Sequence, residues 1–125
     1  MINEDKIVCI VEDNKPIRTL YTTILKKAGI KTVDFGLGKE ALVWLESNSP
    51  AVVVTDLLLP DVAVDDISKF ILKKNYDEKV VIIVVSGLTH SEYEHNYKNY
   101  GFDYFLTKPI DTNALIELIN SSLNK

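Results

Sequence analysis

Two stretches of the chain are apolar without alternation: Val52-Val53-Val54, which runs into Thr55-Asp56, and Val80-Val81-Ile82-Ile83-Val84-Val85, which runs into Ser86-Gly87. β-branched side chains favour an extended backbone, and runs of this length suit central strands covered on both faces. Lys6 to Val11, Ile30 to Phe35 and Asp103 to Thr107 read as three further strands. Between them the apolar positions recur at helical spacing. Ile17, Leu20, Tyr21, Ile24, Leu25 and Ala28 form one stripe, which opens at Asn14-Lys15-Pro16 and closes at Gly29. Asn14 or Asp13 can cap that helix, and Pro16 fits its first turn. Gly38 to Asn48 predicts a second helix, with Ala41, Leu42 and Leu45 inward and Trp44 on its flank. Asp65 to Lys74 predicts a third, with acids at its start and lysines at its end, as the helix dipole prefers. His90 to Tyr100, polar and rich in tyrosine, predicts a fourth. Leu115, Ile116, Ile119 and Leu123 are the stripe of a fifth, capped by Asp111 or Thr112. Strands alternating with helices in this way predict an α/β fold, a doubly wound five-stranded parallel sheet with five helices on its two faces.

Composition narrows the class without changing that picture. A chain of 125 residues, 46% hydrophobic and 26% charged, is one domain with a single core, here residues 1–125 with a core of about 6–123. Its 18 acidic against 14 basic residues give a net charge of −4, so no basic footprint for nucleic acid is present. The single cysteine, Cys9, excludes an internal disulfide and suits a reducing, cytoplasmic setting. Its place in an apolar strand favours inert packing over reactivity. No signal peptide opens the sequence, and no apolar run reaches the length of a membrane span. His90 and His95 have no partner ligands nearby in sequence and read as surface residues.

The candidate chemistry lies where the strands end. Glu12-Asp13, Asp56, Ser86 and Lys108 follow or close the first, third, fourth and fifth strands. In a doubly wound sheet the carboxyl ends share one edge, so these residues become neighbours. Carboxylates gathered there repel: at an effective dielectric near 20, each pair ~4 Å apart costs about 4 kcal/mol. Lys108 supplies one compensating charge, and the remaining excess suits a hard divalent ion such as Mg²⁺. With the ion in place, Asp56 keeps an oxygen able to attack a phosphoryl group, a transfer that depends on positioning and charge neutralisation.

On the residues Glu12-Asp13, Thr55-Asp56 with Pro60 four positions on, Ser86-Gly87 and Leu106-Thr107-Lys108-Pro109, the sequence resembles the receiver domain of two-component response regulators. The resemblance covers Ile7 to about Leu123. It implies a flavodoxin-like, three-layer fold with strand order 2-1-3-4-5. Asp56 is then the phosphoacceptor for a sensor histidine kinase or histidine phosphotransfer protein. Asp13 and Asp56 bind Mg²⁺ with the backbone carbonyl of Leu58, and Glu12 holds metal-bound water. Ser86 moves to meet the phosphoryl group, and Phe105 is the switch aromatic that rotates inward behind it. The surface of the fourth helix, fifth strand and fifth helix then changes for a partner or output domain, in a monomer or weak homodimer. A cis bond at Pro109 also belongs to the resemblance.

Two features depart from the family pattern. Ala63-Val64 replace the usual Asp-Gly of the acceptor loop, which predicts another loop path and puts the start of the third helix in question. Leu58 and Leu88, two residues beyond Asp56 and Ser86, are apolar where a polar side chain can orient water, which predicts slow loss of the phosphate. Rival readings fare worse. An aspartyl-phosphate enzyme of the haloacid dehalogenase class needs a second aspartate two residues after the first, where Leu58 stands. A flavin or nucleotide binder needs a phosphate-cradling first loop, where Glu12-Asp13 repel. A receiver reduced to a docking module is the third alternative.

Overall fold

Alternation along each strand decides where the core sits. In the computed structural model, which describes residues 6–87 and 92–124, the strands are β1 (Ile7–Val11), β2 (Lys31–Phe35), β3 (Val52–Asp56), β4 (Val81–Ser86) and β5 (Tyr104–Thr107). The helices are α1 (Lys15–Lys27), α2 (Gly38–Ser47), α3 (Asp66–Lys74), α4 (Glu92–His95) and α5 (Thr112–Leu123). All neighbouring strands pair in parallel, in the order β2-β1-β3-β4-β5. Val8, Ile10, Val52, Val54, Ile83 and Val85 pack on one side, with Tyr21 and Leu25 of α1 and Leu115 and Ile119 of α5. Cys9, Val11, Val53, Ile82 and Val84 pack on the other, with Ala41 and Leu45 of α2 and Ile67 and Ile71 of α3. Each fully buried Val, Leu or Ile among them contributes roughly 1.5–3 kcal/mol. Both faces of β3 and β4 are therefore apolar, as their sequences require.

Local signals set the helix ends. Asn14 Oδ1 accepts a hydrogen bond from the Ile17 N–H at 3.0 Å, and Asp111 Oδ1 accepts from Asn113 and Ala114 at 2.9 and 3.2 Å. These settle the two open choices of cap in favour of Asn14 and Asp111. Gly29, at φ 79°, stops α1 in the left-handed conformation.

Ser86 closes β4, as its sequence implies, and its carbonyl accepts from the Lys108 N–H at 2.8 Å. One expectation needed correction. The fourth helix is not continuous: among the described residues α4 covers Glu92–His95, and Tyr97–Tyr100 wind as a 3₁₀ turn. The reason is tertiary, because Phe102 must reach the core, where it is 3% exposed, and the tighter winding into Gly101 at φ 88° delivers it there. His90 lies outside the described residues, and His95 is exposed.

At the acceptor loop the structure explains the missing glycine. Among the described residues Asn75 alone, of the non-glycines, has positive φ, so Asp61-Val62-Ala63-Val64 needs no glycine conformation. Asp66 Oδ2 accepts from the Ala63 N–H at 2.7 Å, and the Asp66 N–H donates to the Ala63 carbonyl at 3.1 Å, closing the turn into α3. The other end of the loop is fastened to α2. Asp61 accepts from the Gly38 and Lys39 N–H groups, both at 2.9 Å, and so caps a helix whose own N-cap, Leu37, has no side-chain acceptor.

Candidate functional site

Register and alternation bring the strand-end residues together. Val11 pairs with Thr55, Thr55 with Val84 and Val84 with Phe105, so one row crosses four strands just before the carboxyl edge. One residue further on, Glu12 and Asp56 both continue the side of the sheet that holds Ile10 and Val54, the side covered by α1 and α5. Ser86 and Phe105 fall on the opposite side, continuing Val84, which packs with α2 and α3. Phe105 is half-buried, its ring 6.3 Å from that of Tyr97.

Lys108, just past β5 and before a cis bond to Pro109, reaches across the edge. Its Nζ lies 2.9 Å from Asp56 Oδ1 and 3.1 Å from Glu12 Oε1. Glu12 is 1% exposed and Asp56 8%, whereas Asp13 is exposed. Carboxylate oxygens of the three acids lie within 4.8 Å of one another. Asp13, Asp56, Leu58, Val85, Ser86, Gly87 and Lys108 line an open cleft of about 260 Å³ over them.

The electrostatics follow from burial and crowding. Burial pushes the Asp56 carboxyl up to about 8, the hydrogen-bonded Glu12 carboxyl beside it pushes the same way, and Lys108 only partly offsets them. Burial acts against ionisation of Glu12 too, but hydrogen bonds from Asp56, the Asn14 N–H and Lys108 outweigh it and hold that carboxyl below its ordinary value. Burial works against the Lys108 ammonium, yet its two carboxylate partners win and raise it. Full ionisation of the Glu12–Asp56 pair is thus disfavoured relative to two isolated carboxyls, because a single ammonium cannot neutralise both. The donor set, all carboxylate oxygen with an open side for water, fits a hard divalent cation.

Glu12, Asp13, Asp56, Leu58, Ser86 and Lys108 are therefore gathered at one edge, with Phe105 behind Ser86 on the far side. Leu88 lies outside the described residues. Two residues that the sequence reading missed support this edge. Arg18 binds the backbone of Glu12, and Asp61 ties the acceptor loop to α2. Neither has a local signature, since each acts on a peptide group of another element.

The fold and the cleft define a doubly wound α/β protein whose acidic edge fits a cation beside the buried Asp56 carboxyl. The chain belongs to the response regulator receiver domain family, whose model matches residues 8–120, and its role is that of a receiver in two-component signalling. It is 27% identical over 118 residues to the polar-differentiation response regulator DivK of Brucella ovis, covering 94% of this chain and 96% of that protein. The receiver domain of the Francisella response regulator 1452 superposes with a TM-score of 0.85 at 28% identity, over 95% of this chain and 97% of that one. The Thermotoga maritima response regulator TrrA, solved in complex with Mg²⁺ and BeF, superposes with a TM-score of 0.80 at 24% identity, over 94% of this chain and 98% of that one. No helix among the described residues is long and apolar enough to cross a membrane.

Proposed function

We propose that the chain is a phosphorylation-gated switch in which Asp56 accepts a phosphoryl group from the phosphohistidine of a sensor histidine kinase or histidine phosphotransfer protein. The observation that carries this reading is the Asp56 carboxyl at the floor of the cleft, 2.9 Å from Lys108 Nζ and beside two further acids. An Asp56 oxygen attacks phosphorus, the new P–O bond forms as the donor's P–N bond breaks, and the imidazole leaves with the electron pair. The product is an acyl phosphate on Asp56. Asp13, Asp56 and the Leu58 backbone carbonyl are the proposed ligands for Mg²⁺, with Glu12 acting through water. The chemistry that a bound Mg²⁺ supplies is neutralisation of the carboxylates and of the transferred oxygens. Lys108 and Ser86 receive two of those oxygens. Phe105, on the same side of the sheet as Ser86, follows that residue inward, and the surface formed by α4, β5 and α5 changes its partners. The chain assists its own phosphorylation and slow dephosphorylation; it does not turn over a substrate as an enzyme does.

The test is incubation with acetyl phosphate and Mg²⁺, followed by intact mass. One phosphoryl adduct is expected, absent in Asp56→Asn and absent when EDTA replaces Mg²⁺. A wild-type chain that stays unmodified, although folded and bound to Mg²⁺, overturns the reading and leaves a docking module.

A further inference from the structure

The two acids Glu12 and Asp13 are joined by one planar peptide group, and the orientation of that plane helps set the directions in which both side chains leave the backbone. Its carbonyl belongs to Glu12 and stands just past the end of β1, where no strand partner is paired with it. A buried or half-buried carbonyl there needs a donor. Arg18, one turn into α1, provides it: Nη1 donates to the Glu12 carbonyl at 2.7 Å, while Nε donates to Asp34 Oδ2 of β2 at 3.1 Å. The Glu12 N–H is itself bonded to the Phe35 carbonyl at 3.1 Å. Both sides of Glu12 are thereby tied to the end of β2, one directly and one through the guanidinium fork.

Space for that fork exists because of Gly36. A Cβ built on Gly36 lies 2.9 Å from Arg18 Nη1 and 3.5 Å from Arg18 Cζ, with no other kind of neighbour as close. A methyl group there displaces the guanidinium, the free end of a flexible side chain, and leaves the backbone undisturbed. Arg18 is only 18% exposed on its side chain, so its position is held and not merely visited.

We propose that Arg18 is a positioning residue for the cation site, fixing the Glu12-Asp13 peptide so that the two carboxylates converge with Asp56. This rests on the reading of the cleft as a Mg²⁺ site. The planar fork, with donors in two fixed directions, is what the role demands, and a lysine of equal charge cannot reproduce it. Losing such a support around a metal site typically weakens affinity 10- to 100-fold.

The experiment is isothermal titration of the purified chain with Mg²⁺ alone, for wild type, Arg18→Ala, Arg18→Lys, Gly36→Ala and the Arg18→Ala/Gly36→Ala double variant. Circular dichroism in EDTA is recorded alongside to establish that each is folded. Affinity is expected to fall about tenfold in each single variant, and the double variant is expected to be no weaker than Arg18→Ala, because the second change acts only by moving the first residue. Arg18→Lys binding like wild type shows that charge suffices and overturns the proposal. So does a double variant whose losses multiply. Should Arg18→Ala fail to fold, Arg18→Lys and Gly36→Ala decide the matter. A wild-type chain that does not bind Mg²⁺ at all defeats the cation-site reading itself, whereas variants equal to a binding wild type defeat only the role of Arg18.

Discussion

At the scale of single residues, the controlling feature is that Asp56 and Glu12 share one ammonium, which leaves the buried Asp56 carboxyl raised. The sign of the resulting pH dependence follows. Because the Asp56 carboxyl is raised to about 8 in the folded chain, its contribution to stability is full below the ordinary carboxylate range and is lost as pH rises through about 8. In EDTA, the urea midpoint of wild type should therefore fall between pH 5 and pH 8.5, and Asp56→Asn should flatten most of that slope. Cation binding competes with protonation of Asp56, so Mg²⁺ affinity should climb over the same interval, with proton release measurable by titration in buffers of different ionisation enthalpy. Leu58 supports a second prediction. It is 56% exposed on the wall of the cleft and offers no polar group to a water attacking the acyl phosphate. Leu58→Asn should shorten the phosphate lifetime several-fold as followed by intact mass, and an unchanged lifetime would remove the case for slow release. Glu12, Asp13, Asp56, Ser86 and Lys108 were legible from sequence because each is a polar residue where an apolar strand stops. The protonation of the Glu12–Asp56 pair was not, because it depends on burial and on which side of the sheet each carboxyl continues.

At the scale of elements, the β3–α3 loop acts as the cap that α2 lacks. Asp61→Ala should cost about 1 kcal/mol, the ordinary value of an N-cap, measured as a lower urea midpoint with little change in its slope. The same junction is tight: a Cβ on Gly38 lies 2.5 Å from Val62 Cγ2. Gly38→Ala should destabilise more than Asp61→Ala, and adding Val62→Ala should recover much of the loss, since it removes the atoms that collide. Such contacts span more than twenty positions of sequence and leave no local pattern to read. The helices themselves were legible from their stripes and caps. The span around Tyr93, Tyr97 and Tyr100 was misread because its spacing is helical, whereas its conformation answers to Phe102 beyond it. The tyrosines pack in pairs all the same, Tyr93 with Tyr100 at 5.1 Å and Tyr97 with Phe105 at 6.3 Å.

At the scale of the whole molecule, the parallel sheet with its two core layers follows from the two all-apolar runs and the alternation of elements, whereas the strand order β2-β1-β3-β4-β5 was legible only through the resemblance to the receiver family. The same layering makes Cys9 a reporter. It is fully buried in β1, between β2 and β3, and burial, aided by Asp34, pushes its thiol up to about 12. A thiol reagent should reach it only when the sheet opens. Mg²⁺ at 100 times its Kd should then slow labelling about 100-fold, provided opening releases the ion, and labelling indifferent to Mg²⁺ would mean that Cys9 is reached by a local route. α4 has the opposite character. None of Glu92–His95 is fully buried, and Tyr93 packs only partly against the core. A trigger works best when its moving part is light: on the proposed reading, re-seating Glu92–His95 uncovers little beyond the half-buried Tyr93 ring, so the nudge from one newly attached anion need not pry open either layer of the core to be felt at the rim.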